Sequence, residues 1–167
     1  MLLEASEILN KPVLTLGDNI SLGKISEIIV DPENGHISGF LISQLFAQPQ
    51  VVAETEVLDL TKTGLIVASE DALAKPSDII KIQEILSKGI KILNARAETE
   101  SKKALGKVEN FLIDTESASV VKFYIRGGIF SPSLVLPSDK VIKIEKGKII
   151  FSDDLTESPK ATQAVTT

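Results

Sequence analysis

Leu22 to Ser43 reads LGKISEIIVDPENGHISGFLIS, and Leu105 to Arg126 reads LGKVENFLIDTESASVVKFYIR. The two stretches lie 83 residues apart without a gap and are identical at seven positions: Leu22/Leu105, Gly23/Gly106, Lys24/Lys107, Asp31/Asp114, Glu33/Glu116, Phe40/Phe123 and Ile42/Ile125. Most of the other positions exchange one aliphatic residue for another. This is a duplicated structural unit. It supplies an internal control: what the fold requires should stand in both copies, whereas a special site can stand in one.

Around this repeat the chain divides into a first unit over residues 1–75, a connecting helix over 76–89, a second unit over 90–155 and a flexible tail over 156–167. Each unit is near the lower size limit for burying a core of its own. Aliphatic runs punctuated by turn residues predict strands near 12–16, 22–30, 36–44, 50–53, 57–60 and 65–69, with counterparts near 91–98, 105–113, 119–126, 133–136, 140–144 and 148–152. Runs this short and this evenly spaced belong to an all-β sandwich or barrel, not to alternating strands and helices. The expected fold is therefore two tandem small antiparallel β-barrels. Within each hairpin, period-two alternation puts Phe40 with Ile42, and Phe123 with Ile125, on the barrel interior.

Asp31-Pro32-Glu33-Asn34-Gly35 carries the turn chemistry of a hairpin: a carboxylate at the start, a fixed φ next to it, and a glycine tolerant of positive φ. The copy Asp114-Thr115-Glu116-Ser117-Ala118 keeps both acids and loses Pro and Gly. Between the units, Ser77 and Asp78 are placed to start a helix, Ile79, Ile82, Ile85 and Leu86 form its apolar stripe, and Gly89 can end it. A shorter helical turn is expected at Glu4 to Leu9.

SEILNKPVLT near the start, then LGKISEIIVDPENGHISGFLIS and VLDLTKTGLIVASED, resembles the PRC-barrel family, named for the photosynthetic reaction-centre H subunit. ALGKVENFLIDTESASVVKFYIR followed by LPSDKVIKIEKGKIIFSDD is similar to the same pattern. The barrel also forms the C-terminal half of a small-subunit ribosome maturation factor and occurs in many small stand-alone proteins of bacteria and archaea. The resemblance implies a non-catalytic binding or assembly module. It carries over no catalytic residue, because the family pattern has none.

Composition narrows the chemistry. There is no cysteine, which removes disulfides, thiolate metal sites and thiol nucleophiles, and His36 is the single histidine. The start of the chain has no leader pattern and no apolar run reaches the ~18 residues of a membrane span, so a soluble cytoplasmic protein with no membrane span is expected. The net charge of −5 is divided unevenly: residues 1–83 hold 5 Lys and 12 acids, while residues 84–167 hold 13 Lys or Arg and 11 acids. The halves thus carry −7 and +2, which disfavours nucleic acid or an anionic surface at the first unit.

No catalytic residue, cofactor or metal is assigned. Ser21-Leu22-Gly23-Lys24 has the Ser-x-x-Lys spacing of a lysine-activated nucleophile, but the second copy reads Ala104-Leu105-Gly106-Lys107, which marks the glycine as the framework residue and leaves a small Ser/Lys hydrolase as the weakest reading. The pairs Asp31/Glu33 and Asp114/Glu116 offer too few oxygen ligands for a hard cation and read as turn carboxylates. His36, without a second ligand or nucleophile, reads as a surface hairpin residue.

The candidate partner-binding residues are Leu45 and Phe46 in the first unit and Ile129 and Phe130 in the second. Both pairs sit in the loop between the third and fourth strands, where polar residues are usual. Exposed, they would anchor a protein partner. Buried, they would plug the barrel end or join the barrels, and the need of a small barrel for covered ends gives burial the greater weight. The function expected is a protein-binding or assembly adaptor. The alternative is a ribosome or RNA-maturation factor binding through Lys102, Lys103, Lys107, Lys122 and Arg126 of the second unit; self-association through an open strand edge is a further option.

Overall fold

The computed structural model describes residues 1–130 and 132–156. It is a β protein of two seven-stranded sheets, as the repeat requires. Strand β1 (Leu2–Glu4) and helix α1 (Ala5–Ile8) open the chain. The first sheet contains β2 (Pro12–Thr15), β3 (Ser21–Val30), β4 (Ile37–Ser43), β5 (Gln50–Ala53), β6 (Val57–Thr61), β7 (Gly64–Val67) and β8 (Leu73–Ala74), in the order β6-β7-β2-β3-β4-β5-β8. Helix α2 (Ile80–Ser87) follows. The second sheet contains β9 (Arg96–Thr99), β10 (Ala104–Asp114), β11 (Ser119–Arg126), β12 (Leu134–Pro137), β13 (Val141–Glu145) and β14 (Lys148–Phe151), in the order β12-β11-β10-β9-β14-β13. Its seventh strand is β1, paired to β10.

Most ladders are antiparallel, but one in each sheet is parallel, β2 with β7 and β14 with β9, at equivalent places. The predicted strands are present. The run at 91–98 contributes only from Arg96, because Ile92 to Ala95 makes a turn back toward β10 through Asn94, whose φ is 64°. Asn10 takes the same turn at φ 67°. Ile8-Leu9-Asn10 and Ile92-Leu93-Asn94 are a second piece of the repeat at an offset of 84, which an ungapped comparison passes over.

Phe40, Ile42, Phe123 and Ile125 are all buried, as the alternation predicts, and Phe123 meets Phe151 edge to face at 5.6 Å. Gly89 ends α2 at φ 67°, but the helix begins at Ile80, not at Ser77. Pro76–Asp78 closes a 3-10 turn first, and Ser77 makes no side-chain cap. Helix α2 lies against β3 and β4. A methyl group on Gly39 would sit 2.5 Å from Val52 O and 3.0 Å from Ile82 Cδ1, so β5 and the helix both close on a position without a side chain. The second copy has Lys122 there.

The segment that leads the first unit crosses to the second sheet. Residues 2–4 extend the second sheet, and Leu3, Ala5 and Ile8 are fully buried there with α1 against β10. The reach is sealed by Asn110, whose Nδ2 donates to Glu4 and Ser6 at 3.0 and 2.9 Å, and by Met1, whose carbonyl accepts from the Thr115 amide at 2.9 Å. Residues assigned by sequence order to the first unit thus complete the second sheet. Among the described residues no helix is long and apolar enough to cross a membrane.

Candidate interaction surface

The two central hairpins meet at their tips. His36 and Ser119, equivalent positions of the repeat, form an antiparallel bridge in which the Ile37 amide donates to Ala118 O at 2.8 Å and the Val120 amide donates to Gly35 O at 3.0 Å. Each bond is the image of the other under the 83-residue offset, so a pseudo-twofold axis passes through the bridge. Because the bridge is antiparallel, β4 and β11 leave it in opposite directions. Each runs for roughly 20 Å at the usual strand rise. The β4–β5 and β11–β12 loops therefore lie at opposite ends of the molecule.

At those ends, Leu45 and Phe46 are 88% and 105% exposed, and Ile129 and Phe130 are 95% and 98% exposed. Burial had the greater weight on sequence grounds; the structure overturns it. The pairs neither plug a barrel nor join the two, because the axis holds them apart, while the inter-unit contact is made by the hairpin tips and leading segments. At the first end the apolar surface extends further. Thr15 and Ile20 close the β2–β3 turn, leaving Leu16 and Ile20 exposed beside β3. The Gln44 side chain donates to Leu22 O at 2.9 Å, tying the start of β3 to the loop of Leu45 and Phe46. An open groove of about 570 Å³ runs between them, lined by Ser21, Leu22, Lys24, Ser43, Gln44 and Leu45.

The second end is polar where the first is apolar. Glu100, Ser101, Lys102 and Lys103 occupy the turn equivalent to 16–20. The structure brings Lys107 directly opposite Arg126 across the β10–β11 ladder, with Lys102 and Lys103 just before β10, while Lys122 stands four residues from Arg126 on the outward side of β11. All five are exposed, but the surface is not uniformly basic. Arg126 lies 3.8 Å from Glu109, and Asp153 accepts from the Ser101 amide and hydroxyl at 3.0 and 2.7 Å. Those bonds from Ser101 hold the Asp153 carboxyl below the usual range.

The remaining candidates resolve into turn and packing chemistry. Gly23 and Gly106 have φ of 142° and 132°, and a methyl group on Gly23 would sit 2.5 Å from Ser43 O, while one on Gly106 would collide with Arg126 O. The repeated glycine lets β3 and β10 pass close under the end of the next strand. Ser21 is exposed and its Oγ donates to Gly23 O at 3.5 Å, with no base beside it among the described residues. Asp31 Oδ1 accepts from the Glu33 amide at 2.9 Å, and Asp114 Oδ1 accepts from the Glu116 amide at 3.1 Å, the same turn in both copies. The other oxygen of Asp31 meets Lys81 Nζ at 3.2 Å; that of Asp114 accepts from Ser117 Oγ at 3.0 Å. The Asp31 bond raises the Lys81 pKa, and the bonds from the Glu116 amide and Ser117 lower that of Asp114. His36 is exposed at its side chain, and its backbone bonds stay within its own hairpin, the amide donating to Asn34 Oδ1 and the carbonyl accepting from the Asp31 amide.

Sequence reading missed two grooves flanking the axis. One, of about 160 Å³, is lined by Phe40, Leu58 and Asp59 with Ile113 and Thr115 of the other unit; its counterpart, of about 300 Å³, is lined by Phe123, Ile142 and Lys143 with Gly35 and His36. Leu58 and Ile142 are equivalent exposed aliphatics, each within a β-bulge of an edge strand. The signal available was the apolar residue breaking alternation in VLDLT and VIKIE. The bulges also blunt β6 and β13 against edge-to-edge pairing.

Residues 2–69 match the family model of the PRC-barrel domain. The match takes in β1, which completes the second sheet, and all of the first sheet except β8. No curated protein matches the chain.

Proposed function

With residues 2–69 a PRC-barrel domain, we propose that the protein is a non-catalytic adaptor that docks other proteins through the loops at its two ends. Leu45 with Phe46 and Ile129 with Phe130 are the anchors. The observation that carries this reading is that all four side chains are almost wholly exposed at equivalent places in both copies. Core packing does not require them, so their presence twice has another reason. Exposed aromatic and aliphatic tips are the residue types that concentrate binding energy at protein interfaces. A protein of this net negative charge, with acids interleaved among the lysines of its second unit, is a poorer fit to a phosphate backbone.

The test is affinity capture from the native lysate with tagged wild type and a Phe46→Ser, Phe130→Ser double variant. A protein recovered by wild type and lost from the folded variant supports the adaptor. Recovery of RNA or ribosomal particles by both, with release by salt, replaces it with the face formed by Lys107, Lys122 and Arg126.

A further inference from the structure

We propose that the open edge of β12 and the outward face of β11 and β12 bind a segment of another protein that enters as a short strand and continues as an amphipathic helix. This goes beyond the loop anchors and does not use them. The repeat itself shows what kind of segment fits. On the first sheet, residues 73–87 pair β8 with β5, Val51 opposite Ala74 and Val52 opposite Leu73, and lay α2 against β3 and β4. Val51 is 0% exposed there. Among the described residues β12 ends the second sheet, and Val135, the equivalent of Val51, is 51% exposed. Tyr124 pairs with Val135 and Lys122 with Pro137, the places of Leu41–Val51 and Gly39–Ala53, so all four stand on one face. The crossing segment leaves that face open, since β1 and α1 lie against β10.

The chain's own residues at this point of the repeat lack the apolar chemistry of 73–87. Ser69 and Asp71 recur as Ser152 and Asp154 with the same amide-to-hydroxyl bond, so Thr156 and Glu157 stand in sequence where Leu73 and Ala74 do. Ile79, Ile82, Ile85 and Leu86 give the first segment its stripe, whereas TESPKATQAVTT holds one large aliphatic residue, Val165. The occupant therefore comes from another protein, and charge sets one of its residues. Gly39, on which Ile82 closes, is replaced by the exposed Lys122, so the side chain set against it is a carboxylate. A short strand and a helix the length of α2 fall at the low end of interface sizes, below ~1,200 Å² in total, which makes the contact transient.

The probe is a synthetic peptide of this chain's residues 71–90, carrying β8 and α2, titrated to about 1 mM into the isotope-labelled full chain and followed by backbone amide shifts. It is used as wild type and as Ile82→Glu. Both should move the amides of Tyr124, Val135 and Leu136 and leave β3 and β4 unchanged, because the protein's own α2 is tethered beside them. Ile82→Glu should bind about fivefold more tightly, the upper end for an exposed ion pair, and Lys122→Glu in the protein should reverse that order. Val135→Asp should weaken binding about tenfold or more, while Phe130→Ser should change nothing. No shift at β11 and β12 with either peptide overturns the proposal, as does a Lys122→Glu protein that keeps the wild-type order. Binding seen only in a full-chain Val165→Asp variant gives the face to residues 157–167, and shifts that grow with protein concentration before peptide is added give it to a second copy; both results overturn it. Binding lost in Phe130→Ser but kept in Val135→Asp also overturns it and leaves the loop reading in place.

Discussion

The two ends of the molecule are built on the same strands and differ in what surrounds the same anchor. At the first, Leu45 and Phe46 adjoin a turn carrying Leu16 and Ile20; at the second, Ile129 and Phe130 adjoin Glu100, Ser101, Lys102 and Lys103. The difference separates what the frame demands from what it permits. The strand glycine, the turn aspartate and the inward Phe and Ile recur with the same geometry in both units. The turns before β3 and β10 are free to diverge, and one has become apolar and the other charged. A duplicated frame of this kind can present two related but unequal surfaces from one chain.

The same comparison applies to the leading segment that crosses to the second sheet, and breaking it should have the largest effect. Leu3→Ala removes a fully buried side chain from the second sheet at the cost of about 3 kcal/mol, within the range of buried leucine truncations. Hydrogen exchange should show the loss first in β10, not in β2 or β3, although Leu3 precedes the first sheet in sequence. Loss confined to β2 and β3 would mean that the segment serves its own unit. Next in size are Gly23→Ala and Gly106→Ala. Each puts a side chain at positive φ against a carbonyl, costing about 2 kcal/mol in chemical denaturation. Matching losses would sharpen the equivalence of the units; a neutral Gly23→Ala would reopen the Ser21–Lys24 spacing as something other than framework.

Much of this frame is legible in the chain because it depends on local pattern. Alternation alone places Phe40, Ile42, Phe123 and Ile125 inside, and Asp31-Pro32-Glu33-Asn34-Gly35 announces its turn. The crossing of the leading segment to the second sheet is not legible in that way. Leu2-Leu3-Glu4 is too short to show a period, and which sheet it joins is decided by Asn110 and Thr115, more than 100 residues away. The exposure of Leu45, Phe46, Ile129 and Phe130 was hidden for a related reason. Burial was favoured by the general need to cover a barrel end, and nothing local records that the hairpin tips and leading segments make the inter-unit contact.

The smallest effects should separate the two hairpin turns by pH. In the first, Asp31 raises the Lys81 pKa above the ordinary lysine value of ~10.4, so the contribution is fully present below that value and is lost as pH rises through the raised folded one. In the second, the Glu116 amide and Ser117 lower the Asp114 pKa below the ordinary ~3.9, so that contribution is fully present above it and is lost as pH falls through the depressed folded one. Lys81→Met should therefore flatten the alkaline limb of the stability profile, and Asp114→Asn the acid limb. Thermal melts of both variants and wild type from pH 2.5 to about 11 would read this. An Asp114→Asn profile parallel to wild type on the acid side would mean that the carboxylate is held no more tightly folded than unfolded. The pseudo-twofold axis would then relate the backbones of the two turns, but not the polar contacts that hold them.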